Sequence, residues 1–212
     1  IKAGYRNIYV TAYRFIGVLD ADITFGKDYY ERVIGKMHED TKLGMAGGFI
    51  YEPRGDSFTS RPSNRRTSVA GGIQLFRREC YEAIGGPMPL PYGGEDWICE
   101  VLSRKSGWAV TAFPSIVAYH HKPSEARRGA LKDAIRLGRM DYVVGSHPLF
   151  EVFKCIRRFR ERPVLLRALF RLLGFTWCGI RGERKTVSSE IVEYLRQEQM
   201  YRLRMYIHGP RQ

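Results

Sequence analysis

The sequence lacks paired cysteines. Its four, Cys80, Cys99, Cys155 and Cys178, lie far apart and form no C-x-x-C spacing. That argues against a zinc site or a disulfide framework and suits a reducing compartment. No basic start followed by an apolar core opens the chain, so it shows no signal-peptide pattern. It begins Ile1-Lys-Ala-Gly without Met, as expected of a processed or cropped chain. An uncharged apolar run of the roughly 20 residues that a spanning helix needs is missing too. The best candidate, 164–175, is interrupted by Arg167 and Arg171. Internal repeats and low-complexity segments are absent.

What is present fits one folded core with a helical appendage: 212 residues, 44% hydrophobic and 27% charged. The formal charge of +13 is unevenly placed. Residues 1–125 hold 16 basic and 14 acidic side chains, a net +2, whereas 126–212 hold 19 and 8, a net +11. A basic tail implies an anionic partner. The charge is mixed with long apolar faces and no nucleic-acid motif appears, so an anionic membrane surface is preferred to RNA or DNA.

Ile16-Gly-Val-Leu-Asp20-Ala-Asp22-Ile-Thr-Phe25 reads as a buried strand delivering two carboxylates where it stops. Residues 1–15 read as a short helix or loop, 26–40 as an amphipathic helix, and 43–51 as a strand whose Gly44, Gly47 and Gly48 permit close backbone approach. A basic loop covers 53–68, a strand with a double glycine 69–76, and a helix 78–84. The stiff loop 85–94 precedes a helix from Glu95 to about Lys105, and strands 108–113 and 115–119 close the domain before His120-His121. In the tail, 125–146, 148–175 (broken at Pro163) and 187–207 read as helices. Leu149, Phe150, Val152, Phe153, Ile156 and Phe159 form one apolar face, and Arg160, Arg167 and Arg171 share another at steps of seven and four. That pattern fits a basic amphipathic helix lying in a membrane interface, or one packing its apolar side on the catalytic domain. The last helix reads as structural or oligomeric. These readings divide the chain into a first domain, 1–125, and a basic helical extension, 126–212.

Two carboxylates one residue apart can both reach a divalent cation, which also bridges phosphate oxygens. Open α/β sheets hold ligands just past their strand ends. Asp20 and Asp22 therefore read either as a metal-dependent phosphate site or as an acidic turn. Glu95 and Asp96 stand at a helix start, where a carboxylate can act as general base or merely cap the helix.

VLDADITF, followed in order by VAGGIQLFRRECYEAIGG, PYGGEDWICEVLSRKSGW and SIVAYHHKPS, resembles the family 2 glycosyltransferases of the GT-A fold over about residues 1–124. The resemblance implies an α/β, GT-A-like (Rossmann-like) mixed sheet flanked by helices. It implies an inverting transfer of a sugar from a nucleotide-sugar donor to a hydroxyl of a saccharide or lipid-linked acceptor, as in cell-envelope or exopolysaccharide synthesis. On that reading Asp20-Ala-Asp22 matches the DxD element. Asp22 binds Mg²⁺ or Mn²⁺ and Asp20 holds the ribose or a metal-bound water. Gly71 and Gly72 lie where backbone approaches the donor sugar, Asp96 is the base with Glu95 beside it, and His120 or His121 closes the site as a metal ligand. Trp97 stacks on an acceptor sugar or lies in the core. Arg61, Arg65 and Arg66 grip an acceptor phosphate or form a solvated loop. A cytoplasmic protein, peripheral at the inner membrane face, is implied.

Two departures matter. Only 15 residues precede the acid-bearing strand, so the nucleobase-binding strands of the family are missing and a fragment of a longer enzyme is expected. Ile98 replaces the second acid of an ED-x-D element, and the Q-x-x-R-W element of processive synthases is absent, which favours single addition. Rival readings are a haloacid-dehalogenase-like phosphatase, with Asp20-Ala-Asp22-Ile-Thr24 as its nucleophile element, and a non-catalytic membrane- or nucleic-acid-binding fragment. Donor, acceptor and oligomeric state stay open.

Overall fold

The computed structural model describes residues 12–122, 129–157 and 165–209. Phe159, Arg160 and Pro163 of the expected tail helix, and most of 1–15, lie outside them. The chain divides into two compact units, Ile1–Pro89 with Glu95–Ser124, and Leu90–Gly94 with Glu125–Gln212.

The first unit contains β1 (Phe15–Leu19), β2 (Ile23–Phe25), α1 (Tyr29–Glu39), β3 (Leu43–Arg54), β4 (Ser57–Ser60), β5 (Ile73–Arg77), α2 (Arg78–Ala83), α3 (Glu95–Lys105) and β6 (Ala109–His120). The sheet runs β1-β5-β3-β6-β2, with β4 on the far half of β3. Only β3 and β6 run parallel among these pairs. β3 is buried along Leu43–Gly48, as a central strand covered on both faces must be. Val33 and Met37 of α1, one helical turn apart, join Met45, Phe76 and Ile116 in the core.

Laid flat, β1 and β2 would stand about 19 Å apart, at four strand spacings of ~4.8 Å. Only 20–22 join them, and the Ile23 N–H donates back to the Asp20 carbonyl (3.3 Å) in a tight turn. The sheet must therefore curl, and the acid-bearing turn sits where its two ends approach. The bend is visible in β6. The residues expected as two closing strands form one, interrupted by a register shift, with Gly48 opposite Phe113 and Phe49 opposite Val117. A Cβ on Gly48 would lie 2.3 Å from the Ile116 carbonyl oxygen, so only glycine lets the bulged backbone in.

The second unit is helical: α4 (Ala130–Val143), α5 (Pro148–Arg157), α6 (Leu166–Ile180) and α7 (Ser189–His208). Leu90–Gly94 belongs with it because Arg136 donates to the Tyr92 carbonyl (2.6 Å) and the Tyr92 hydroxyl to Glu183 (3.1 Å). α4 and α6 cross at glycines: a Cβ on Gly138 would lie 1.9 Å from the Arg171 carbonyl, and one on Gly174 2.2 Å from that of Ile135.

The basic face expected on α6 is corrected here. Arg171 is buried, donating to Glu151 (2.8 Å) and to Asp141, while Lys154 sits 2.7 Å from both acids. It turns inward because carboxylates on α4 and α5 neutralise it. The expected apolar face of α5 divides as well. Phe153 packs on Tyr206 of α7, whereas Leu149, Val152 and Ile156 face outward.

Candidate active site

A cleft of about 280 Å³ opens in the first unit, lined among others by Asp20, Arg61, Gly71, Gly72, Glu95, Asp96 and His120. Residues separated by as much as 100 positions meet here because the curled sheet brings the β1 end, the β6 end and the α3 start to one place.

Two consecutive glycines seat the two acids. A Cβ on Gly71 would lie 2.7 Å from Asp96 Oδ2, and one on Gly72 2.6 Å from Asp20 Oδ2. Any larger residue would displace a carboxylate. The Asp20 N–H donates to the Gly72 carbonyl (3.1 Å), tying the acidic turn to the glycine loop. Asp96 faces solvent on the cleft side while protein crowds the rest of it. That crowding pushes its carboxyl above the usual range, against hydrogen bonds from the N–H groups of Trp97 and Asp96 itself, and the charges of Glu95 and Asp20 push the same way.

His120 is buried at the end of β6, with Nε2 3.4 Å from Asp22 Oδ1 and Nδ1 3.4 Å from Glu52 Oε1. His121 points elsewhere, its Nε2 2.8 Å from the Thr24 hydroxyl, because neighbouring strand residues face opposite sides. Among the described residues no three His, Cys, Asp or Glu are grouped as a ready cation cage. Asp20 turns to Gly72, leaving Asp22 and His120 as the converging pair. A carboxylate and an imidazole suit a cation that takes its remaining ligands from water and phosphate oxygens, as Mg²⁺ and Mn²⁺ sites on nucleotides do.

Trp97 is half-buried, and Arg65 is spent on its own loop, donating to the carbonyls of Pro62 (2.9 Å) and Asn64 (2.7 Å). Arg66 is exposed, and neither arginine lines the cleft. Arg61 does, pairing with Glu52 (2.6 Å), with the same guanidinium 3.2 Å from His120 Nδ1.

Sequence reasoning missed Glu52, Gln74 and Glu100. Glu52 follows cleft-lining Ile50 by two along β3, and so shares its face; that alternation was the available signal. Buried Gln74 donates to the carbonyls of Val69 (3.2 Å) and Asp96 (3.1 Å), fixing the glycine loop to the start of α3. Buried Glu100 accepts from the Ser68 hydroxyl and the Val69 N–H, both at 2.8 Å.

Burial pushes the Glu100 carboxyl up from 4.5 to about 7, against hydrogen bonds and the Arg104 charge that favour its anion. The native state thus holds its proton more tightly than the unfolded chain does. The stability this contributes is full below 4.5 and is lost as pH rises through about 7. Glu100→Gln keeps an acceptor but carries no charge. Thermal melts from pH 5 to 8 are expected to show the variant gaining on wild type, by on the order of 2 kcal/mol at the upper end.

These elements, a curled mixed sheet with helices on its faces and acids at one edge, define a GT-A-like α/β fold. No family model matches the sequence, and no curated protein matches it. Among solved structures the chain is similar to GalNAc-T7 with UDP, GalNAc and Mn²⁺, at a TM-score of 0.53 and 13% identity, covering 99% of this chain and 44% of that one. It also aligns with the mannosyltransferase PcManGT from Pyrobaculum calidifontis in complex with GDP-Man and Mn²⁺, at a TM-score of 0.48 and 16% identity, covering 97% of this chain and 59% of that one. The chain therefore spans less than two thirds of either protein, and the likeness is one of fold.

Proposed function

We propose that the chain is the catalytic portion of an inverting, metal-dependent glycosyltransferase, moving a sugar from a nucleotide-sugar donor to a hydroxyl of a saccharide or lipid-linked acceptor. The observation that carries this is the seating of Asp20 and Asp96 on Gly72 and Gly71 in one cleft with His120. The GT-A-like neighbour with UDP, GalNAc and Mn²⁺ supports a nucleotide and a divalent cation as its ligands. Residues 1–125 then form the catalytic domain and 126–212 a basic extension.

Asp22 and His120 would hold the cation, Mg²⁺ or Mn²⁺, which when bound offsets the charge of the departing nucleoside diphosphate. Asp20 holds the ribose or an ordered water. The glycine loop lets the donor sugar lie against backbone. Asp96 accepts the acceptor hydroxyl's proton as that oxygen bonds to the anomeric carbon and the bond to the diphosphate breaks. Glu95 orients the acceptor. His120 must be neutral to act as a ligand, with its proton on Nδ1 facing Glu52 and its Nε2 lone pair toward Asp22. Glu52, itself held by Arg61, is the group that sets this tautomer.

The phosphatase reading finds no support in the cleft, where the cation among the described lining residues is Arg61 and no lysine joins it. Titration with UDP and GDP, with and without Mn²⁺, tests the proposal. Asp22→Ala is expected to abolish Mn²⁺-dependent nucleotide binding, and Glu52→Ala to weaken Mn²⁺ binding by about 10–100-fold. Nucleotide affinity equal in wild type and Asp22→Ala would remove the metal assignment.

A further inference from the structure

The outer face of α6 carries an apolar stripe that no described residue of the helical unit covers. Leu166, Leu169, Leu173, Trp177 and Ile180 follow one another at steps of three and four, and they are 43–80% exposed. At about 100° per residue they fall within an arc of roughly 80°. The opposite arc holds Arg171, Gly174, Phe175 and Cys178, all buried. The stripe is therefore not a loosely packed core face: α6 has its core face elsewhere, and this second face is left over. A continuous exposed apolar surface of this kind marks an interaction site.

Charge identifies what covers it. The sole carboxylate on α5 or α6 is Glu151, which is fully buried and paired to Arg171 and Lys154. Just past the stripe come Arg181, whose guanidinium lies 5.0 Å from the Trp177 ring centroid, and exposed Arg184, with Glu183 between them half-buried and accepting from the Tyr92 hydroxyl (3.1 Å). Residues 126–212 carry 19 basic and 8 acidic side chains in all. Apposing a second copy of the same face would bring these arginines together with no acid on either helix to pair them. An anionic phospholipid surface meets both demands, taking the leucines among its acyl chains and the arginines among its phosphates. Trp177 beside Arg181 is the residue pair expected at the boundary between the two regions.

Geometry sets the orientation. The 15 residues of α6 extend about 22 Å, short of the ~30 Å hydrocarbon core. No described helix is long and apolar enough to cross a membrane. A helix with one apolar face, its other face locked to α4, lies along the interface.

We propose that the Leu166–Ile180 stripe, flanked by Arg181 and Arg184, docks this chain on anionic phospholipid bilayers. The proposal does not depend on the transferase reading, and its variants leave Asp22 and Asp96 untouched. The test is co-sedimentation of the full chain with phosphatidylcholine vesicles, with and without phosphatidylglycerol. Wild type is expected to bind the anionic vesicles and to release them as salt is raised. Leu169→Glu with Leu173→Glu is expected to weaken binding at least about tenfold with an unchanged melting temperature. Should that double variant melt early, brominated lipid supplies the reading: it is expected to quench wild-type fluorescence and to lose most of that effect in Trp177→Phe. Binding that persists in the folded double variant would overturn the proposal. So would a wild type that ignores vesicles and instead forms a dimer, or shifts RNA, through the same leucines.

Discussion

Asp96→Asn is expected to bind UDP or GDP with Mn²⁺ as wild type does, and to transfer sugar about 10²–10⁴-fold more slowly. The asparagine matches the carboxylate in size, so it fits over Gly71, where a Cβ would stand only 2.7 Å from Asp96 Oδ2. Its side-chain oxygen still accepts from the first turn of α3. It has no basic oxygen to take a proton, so the loss falls on turnover. Asp22→Ala should show the converse, because its carboxylate meets His120 and not the α3 start. Stopped assays with a UDP-sugar and a GDP-sugar, read beside nucleotide titrations, distinguish the two. If Asp96→Asn loses affinity and rate together, that residue is a structural cap of α3. Asp96 then ceases to be the base, while the cation site keeps its own test.

The separation of roles rests on features that were partly legible in the sequence. An apolar strand ending in Asp20-Ala-Asp22, a double glycine and an acid pair after a Pro/Gly loop are local patterns that line one cleft, but β1 is only partly buried, with Leu19 47% exposed, and Gly71 and Gly72 form the turn before β5 rather than part of the strand. The order of contacts between them was not legible. Nothing in the sequence says that Asp20 leans on Gly72 while Asp22 meets His120, since that follows from the curl of a sheet whose end strands are joined by three residues. Alternation along β6 decides between His120 and His121, but only once the strand is known to continue through the Pro114 bulge. Glu52 and Gln74 escaped notice because each acts through a neighbour rather than through a motif.

The tail failed in a more instructive way. Helical periodicity put Arg171 on a face with Arg160 and Arg167, and a basic face on a leucine-rich helix reads as lipid-directed. Periodicity fixes which residues share a face but not what lies opposite. Asp141 and Glu151 lie 30 and 20 positions from Arg171, and only the packing of α4 and α5 on α6 brings them to it. The apolar side of this helix was left in the sequence between a membrane interface and packing on the first domain; the structure shows Leu166, Leu169, Leu173, Trp177 and Ile180 exposed.

Arg171→Met is therefore expected to be among the most destabilising single changes in the chain, by about 3–5 kcal/mol. Methionine fills much of the arginine's volume, so the cost is chiefly electrostatic. Burial pushes the Asp141 carboxyl up, but Lys154 and Arg171 outweigh it and hold that carboxyl below its ordinary value. Glu151 is raised, by burial first and then by Asp141 beside it. Without Arg171, Lys154 alone would face both acids. One carboxyl must then take up a proton or stay buried and unpaired, and either costs folding energy. Neutralising both acids as well, with Lys154 left at its partly exposed position, tells this cost from lost packing. Arg171→Met combined with Asp141→Asn and Glu151→Gln is expected to recover most of the stability in urea melts, because no uncompensated acid is left inside. A triple variant as unstable as Arg171→Met alone would assign the loss to the α4–α6 contact, where Gly138 lets the Arg171 backbone approach more closely than any side chain would allow.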